Sequence, residues 1–146
     1  MPAPEYSLPD FLEAACSVSS YRRWLSRKAT AHFVRDRKRG NEKVTREAYK
    51  AAIHEAVLRC EGRDEYTGRT LDWKLIGTYD NEQSRREKRA YKKGLGNLPT
   101  VDHVGDGLGP ANFKICSWRV NDCKNDLDLE EFLEICRTVI RHHESK

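Results

Sequence analysis

The chain has no Cys-x-x-Cys pair, no run of eighteen apolar residues, and no basic stretch leading into an apolar core near its start. The missing apolar run excludes a membrane-spanning helix. The missing leader pattern makes a cytoplasmic protein without a membrane partner the expectation. The five cysteines, Cys16, Cys60, Cys116, Cys123 and Cys136, are odd in number. Neither a disulfide framework nor a structural zinc site is therefore expected. Cys60 and Cys136 fall on apolar helix faces, where cysteine behaves as a small hydrophobe. Proline is scarce, and Pro2, Pro4 and Pro9 crowd into an extended lead-in. There is no internal repeat and no low-complexity segment.

At 146 residues the chain is long enough for one domain with one core. Its net charge of +4 is unevenly spread. Residues 1–100 carry 21 Lys/Arg against 14 Asp/Glu, whereas residues 101–146 carry 6 against 9. A basic first part is compatible with a polyanionic partner, although most charge runs are simply solvated faces.

Apolar periodicity predicts a mostly helical α+β domain. Asp10 to Val18 reads as a short helix. Ser19 or Ser20 could cap a second, in which Tyr21, Trp24, Leu25, Ala29, His32 and Phe33 recur at spacings of three and four. Its other side carries Arg22, Arg23, Arg27, Arg35, Arg37, Lys38 and Arg39, and Gly40-Asn41 ends it. Thr45 can cap a third helix with Tyr49, Ala52, Ile53, Ala56, Val57 and Cys60 inward. Tyr66-Thr67-Gly68 reads as a tight bend and Thr70-Leu71-Asp72-Trp73 as a short strand. Residues 78–97 are polar nearly all round, either an exposed helix or a loop. Leu98 to Val104 and Asn112 to Trp118 read as two strands around a loop forced by Gly105, Gly107, Gly109 and Pro110, with a short helix starting near Arg119. Asp128 and Glu131 form a capping-box pattern ahead of a last helix. Leu129, Phe132, Leu133, Cys136, Val139 and Ile140 are its predicted buried face. His142 and His143 sit at its frayed end, where an interaction with the negative helix terminus, or with nothing, is expected rather than metal binding.

Residues 98–125, LPTVDHVGDGLGPANFKICSWRVNDCKN, place Asp102-His103 at a strand end, Asn112 after the glycine loop, and Asn121 three residues before Lys124. This pattern resembles the HNH (ββα-metal) endonuclease motif in an H-N-N form, with Asn121-Asp122-Cys123-Lys124 matching an N-x-x-K ending. Upstream, Tyr66-Thr67-Gly68-Arg69-Thr70-Leu71 resembles a segment that often precedes the motif. The resemblance covers roughly residues 60–136. It implies a nuclease core over 61–146 with an N-terminal helical extension over 1–60.

The chemistry it implies is phosphodiester hydrolysis. His103 titrates near neutrality and can take a proton from water. Asp102 and Asn121 are the implied ligands of one hard cation, Mg²⁺ or Mn²⁺, which prefers oxygen donors and keeps several waters. Asn125 competes with Asn121 for that role, but only Asn121 fits N-x-x-K. Asn112 would hold the loop or orient His103. Lys124, one turn beyond Asn121 on the same face, could contact phosphate, with Arg119 a weaker choice. Asp102 and His103 are adjacent on a strand, so their side chains must point to opposite faces.

The candidate nucleic-acid contacts are Arg37, Lys38, Arg39, Arg85, Arg86, Lys88, Arg89, Lys92, Lys93 and Arg119. Such contacts give salt-dependent affinity rather than sequence reading. The resembled class implies DNA ahead of RNA. Oligomeric state is left open, a homodimer being one option. A binding module that keeps the fold without turnover shares every basic residue. A small interaction protein, whose glycine loop is merely a turn, is the remaining alternative.

Overall fold

A computed structural model describes residues 6–77 and 95–145. Arg85, Arg86, Lys88, Arg89, Lys92 and Lys93 lie outside the described residues. Helix α1 (Val18–Lys38) starts at Ser17, whose hydroxyl accepts from the Ser20 N–H at 3.0 Å. The cap is thus two residues earlier than Ser19. Helix α2 (Arg46–Cys60) is capped by Thr45, as its sequence predicts, and closes through Glu61 and Gly62, both at positive φ. Strands β1 (Pro99–His103) and β2 (Phe113–Ser117) form an antiparallel hairpin in which Asp102 lies opposite Lys114 and His103 opposite Phe113. Ser117 ends β2 and caps helix α3 (Trp118–Lys124). Asp128 caps helix α4 (Leu129–Glu144) by accepting from the Glu131 N–H at 2.8 Å, as the D-x-x-E pattern anticipates.

The described chain is α+β, four helices and one two-stranded sheet, and none of its helices is long and apolar enough to cross a membrane. Tyr21, Trp24 and Leu25 of α1, Tyr49, Ile53 and Val57 of α2, and Val101, Phe113 and Ile115 of the hairpin form one buried cluster. Each such side chain contributes roughly 1.5–3 kcal/mol when taken from water. Helices α1 and α2 therefore form a wall of the core. All five residues of β1 are buried, because helices cover one face and the loop after α2 the other.

Three expectations need correction. Only Asp10–Leu12 of the first predicted helix forms, as a 3₁₀ turn with Leu12 buried and Phe11 exposed. Thr70 makes just an isolated bridge to Arg63, and Trp73–Gly77 is a second 3₁₀ turn. Trp73 does pack inward, which is why its segment read as a strand. Most consequentially, α4 has no buried residue, so its predicted inner face is unpaired among the described residues.

Candidate active site

Asp64 organises the turn ahead of the hairpin. Its carboxylate accepts from the N–H groups of Tyr66 (2.7 Å), Thr67 (3.1 Å) and Ser117 (2.9 Å), which folds Tyr66-Thr67-Gly68 and ties it to the end of β2. Tyr66 is thereby aimed at β1, where its hydroxyl donates to Asp102 Oδ2 at 2.5 Å. Burial, and then the Asp102 carboxylate, push the Tyr66 phenol well above its usual range, so it stays a donor. The same Oδ2 lies 3.0 Å from Lys124 Nζ, whose ammonium also donates to the Leu127 carbonyl at 2.6 Å. Both side chains of this ion pair are nearly buried. Lys124 is thus held against Asp102.

His103 turns the other way, as strand geometry requires. Its Nδ1 is 2.7 Å from Oδ2 of Asp36, a wholly buried carboxylate on α1. The approach is short but off the line of a well-aligned hydrogen bond, which leaves Nδ1 without an aligned acceptor. We read it as an electrostatic clamp. The Tyr49 hydroxyl donates to the same Asp36 oxygen at 2.6 Å, and Arg35 Nε makes a looser contact at 3.5 Å with the other. Burial lowers the His103 pKa, against the opposing pull of Asp36, so the imidazole is neutral at neutral pH. A neutral ring with its Nδ1 proton toward Asp36 keeps the Nε2 lone pair as a proton acceptor.

Nearby, His32 Nε2 donates to the Val101 carbonyl at 3.1 Å, and its Nδ1 accepts from Arg35 at 2.7 Å. Burial foremost, then Arg35, push His32 down to about 3, consistent with a neutral ring that links β1 to Arg35. The glycine loop closes over Asp36. Gly107 sits at φ +83°, and a Cβ there would come within 2.6 Å of Asp36 Oδ1, so only glycine fits. The Asn41 amide donates to the Gly107 carbonyl at 2.9 Å and pins the loop to the end of α1.

These pieces border one cleft of about 540 Å³, lined by Arg35, Arg39, Asp102, His103, Gly105, Asp106, Asn125, Asp126, Leu127, Asp128 and Glu131. Of the sequence candidates, Asp102, His103 and Arg39 meet there. Asn121 is half-buried on α3 and does not line the cleft, while its competitor Asn125 does. Asn125 also has φ 52° and ψ −127°, a strained backbone for a residue with a side chain, at the point where α3 ends. Asn112 is exposed, and its carbonyl accepts from Val104 at 2.8 Å, which closes the hairpin. Arg119 lies on a different hollow, near Asn97 and Gly96. Arg37 and Lys38 are exposed at the end of α1.

The cleft walls offer oxygen donors rather than thiols or a histidine cluster, which suits a hard cation by type. Among the described residues no group of three or more His, Cys, Asp or Glu side chains converges as a metal cage. Sequence reasoning missed Asp36, Tyr66 and Asp64 as site builders. Asp36 sat inside a basic helical run, and only its placement as a polar residue four positions after His32 on the inward stripe could have marked it. No family model, no curated protein and no solved structure matches the chain.

Proposed function

We propose that this chain is a metal-dependent endonuclease of HNH type that hydrolyses phosphodiester bonds in DNA. The observation that carries the reading is the meeting of Asp102 and His103 in one cleft, with His103 backed by the buried Asp36. The β1–β2–α3 order and the motif residues support the same reading.

Phosphodiester hydrolysis requires a base for water and positive charge around the scissile phosphate. His103 takes the proton at Nε2, and Asp36 stabilises the imidazolium that results. Arg35 and Arg39, on the same cleft, hold phosphate oxygens, with Arg35 steadied by His32. Arg37 and Lys38 extend the basic surface beyond the cleft rim and contribute salt-dependent affinity. Asp102, with an amide or carboxylate from the Asn125–Asp128 wall, would hold one Mg²⁺ or Mn²⁺. When bound, that ion supplies charge neutralisation on the phosphate and the leaving oxygen. Lys124 must then yield Asp102 Oδ2, since an ammonium and a divalent ion compete for one carboxylate.

A second reading draws on that same ion pair. A carboxylate already neutralised by Lys124 and Tyr66 suits a module that keeps the fold and binds DNA without cutting it. Digestion of supercoiled plasmid with Mg²⁺, with Mn²⁺ and with chelator decides between the two. Cleavage that requires the metal supports the enzyme. Salt-sensitive binding without cleavage under either ion supports the module and ends the enzyme reading.

A further inference from the structure

Helix α4 departs from the rule the other long helices obey. Its apolar residues, Ile135 apart, recur at spacings of three and four, yet Leu129, Val139 and Ile140 are 39%, 53% and 52% exposed, and Phe132, Leu133 and Cys136 are only half-buried. No described element packs extensively along it. A stripe this regular on one side of a sixteen-residue helix is the pattern of a helix that meets another helix.

The charges say which helix. Asp128 caps α4 and Glu130, Glu131 and Glu134 lie in its first half; Arg137, Arg141, His142 and His143 lie in the second, with Glu144 the one acid, at its last position. Two copies side by side and parallel would stack acid on acid and base on base. Two copies antiparallel set each acidic half against a basic half. We propose that α4 is a dimerisation helix that pairs antiparallel with α4 of a second copy of this chain.

The register follows from the stripe. Layers form when Leu129 meets Ile140 of the second copy and Leu133 meets its Cys136. In that register Glu130 faces Arg137 of the second copy, and symmetry supplies the pair twice. Glu130 and Arg137 are seven residues apart, hence on one flank of the stripe, and an antiparallel pair brings like flanks together. The charged contacts within α4 do not oppose this. Arg137 lies 3.9 Å and Arg141 3.2 Å from Glu134, all well exposed, and such pairs are weak and easily exchanged. A helix pair about 24 Å long buries roughly 1,000 Å², the size of a weak, reversible interface, so association is sought across a concentration range. Asp128 and Glu131 at the start of α4 border the His103 cleft, but none of the stripe residues does, and sedimentation reads association without reference to cleavage, so the proposal stands or falls independently of the nuclease reading.

Sedimentation of the full chain across the micromolar range tests it. The expected result is a monomer–dimer equilibrium that Leu133→Asp and Ile140→Asp shift to monomer with unchanged circular dichroism, since neither side chain is in the core. Glu130→Arg should weaken association about tenfold by setting arginine against Arg137 twice. Glu130→Arg with Arg137→Glu should restore it. The double variant carries the same altered first turn, so recovery reports pairing between copies rather than helix stability. In a Cys123→Ser background, Leu133→Cys should form an oxidised covalent dimer that Cys136→Ser abolishes. A monomer at every concentration overturns the proposal, whether α4 stays bare or is covered by residues 78–94 of its own chain. So does a dimer indifferent to these substitutions, or a double variant no better than Glu130→Arg alone.

Discussion

Asp36, in the last turns of the first long helix, lies with its Oδ2 2.7 Å from Nδ1 of His103, at the end of a strand 67 positions later. The pairing joins the helical first third to the hairpin that carries the motif. It also gives Asp36 a chemical task beyond packing, because its charge acts on the imidazole through a buried contact.

Asp36→Asn should therefore slow cleavage on the order of a hundredfold, the scale of a lost acid–base contribution. The pH profile separates this from mere misfolding. Asp36 favours the imidazolium, so its removal lets burial lower the His103 pKa further, and the acidic limb of the rate profile moves to lower pH. Tyr49→Phe, which leaves the carboxylate in place, should cost about 1.5–3 kcal/mol in urea unfolding and move that limb far less than Asp36→Asn does.

Gly107→Ala should destabilise the chain by about 1–3 kcal/mol, read by the same unfolding measurement. The new Cβ meets Asp36 Oδ1 at 2.6 Å and the φ of +83° is strained for alanine. Gly105→Ala is the contrast. Its φ of +102° is equally strained, but nothing crowds the Cβ position, so any excess loss of cleavage in Gly107→Ala reports on Asp36.

Lys124→Met leaves Asp102 buried beside Tyr66 alone. Breaking a buried pair from one side costs about 3–5 kcal/mol, whereas Asp102→Asn with Lys124→Met should cost much less. Thermal unfolding with and without Mg²⁺ adds the functional readout. If Asp102 holds the cation, Mg²⁺ raises the Tm of Lys124→Met by more than that of the unaltered chain.

Below neutral pH the chain should lose stability. Burial holds the folded-state pKa of His32 at about 3, below the ordinary 6.5, and that of His103 is lowered too. A histidine depressed in the folded state takes up its proton preferentially in the unfolded chain. Its stabilisation is complete above pH 6.5 and falls as pH drops from there toward 3. His32 contributes a slope of about 1.4 kcal/mol per pH unit across that window. His32→Gln, which can still donate to Val101 and accept from Arg35, should flatten the slope. A Tm that does not change between pH 7 and pH 5 would contradict this assignment.

The helical periods of α1 and α2, the hairpin around the glycine loop and the capping box of α4 could all be read from residue order, because each rests on local rules of spacing, capping and turn chemistry. Opposite facing of Asp102 and His103 followed from strand geometry as well. What residue order hid was long-range. Asp36 looked like one acid in a basic run, since only the packing of α1 on β1 turns it inward. Lys124 looked like a phosphate contact, since nothing local says that Asp102 reaches it first. Asn121 fitted the spacing while Asn125, four residues on, reached the cleft. The apolar stripe of α4 was correctly seen and wrongly assigned, because periodicity tells that a face wants cover and not which molecule covers it.

In the proposed nuclease, His103 removes a proton while the rest of the surface holds the nucleic acid. Single-turnover cleavage and binding of one labelled duplex, measured on the same preparations of the unaltered chain and His103→Ala with Mg²⁺ or Mn²⁺ at low salt, test it most directly. Metal-dependent cutting that His103→Ala loses by at least a hundredfold, with affinity within a few-fold, is the predicted result. Equal cutting by both proteins, or no cutting by the unaltered chain under either ion, would contradict it.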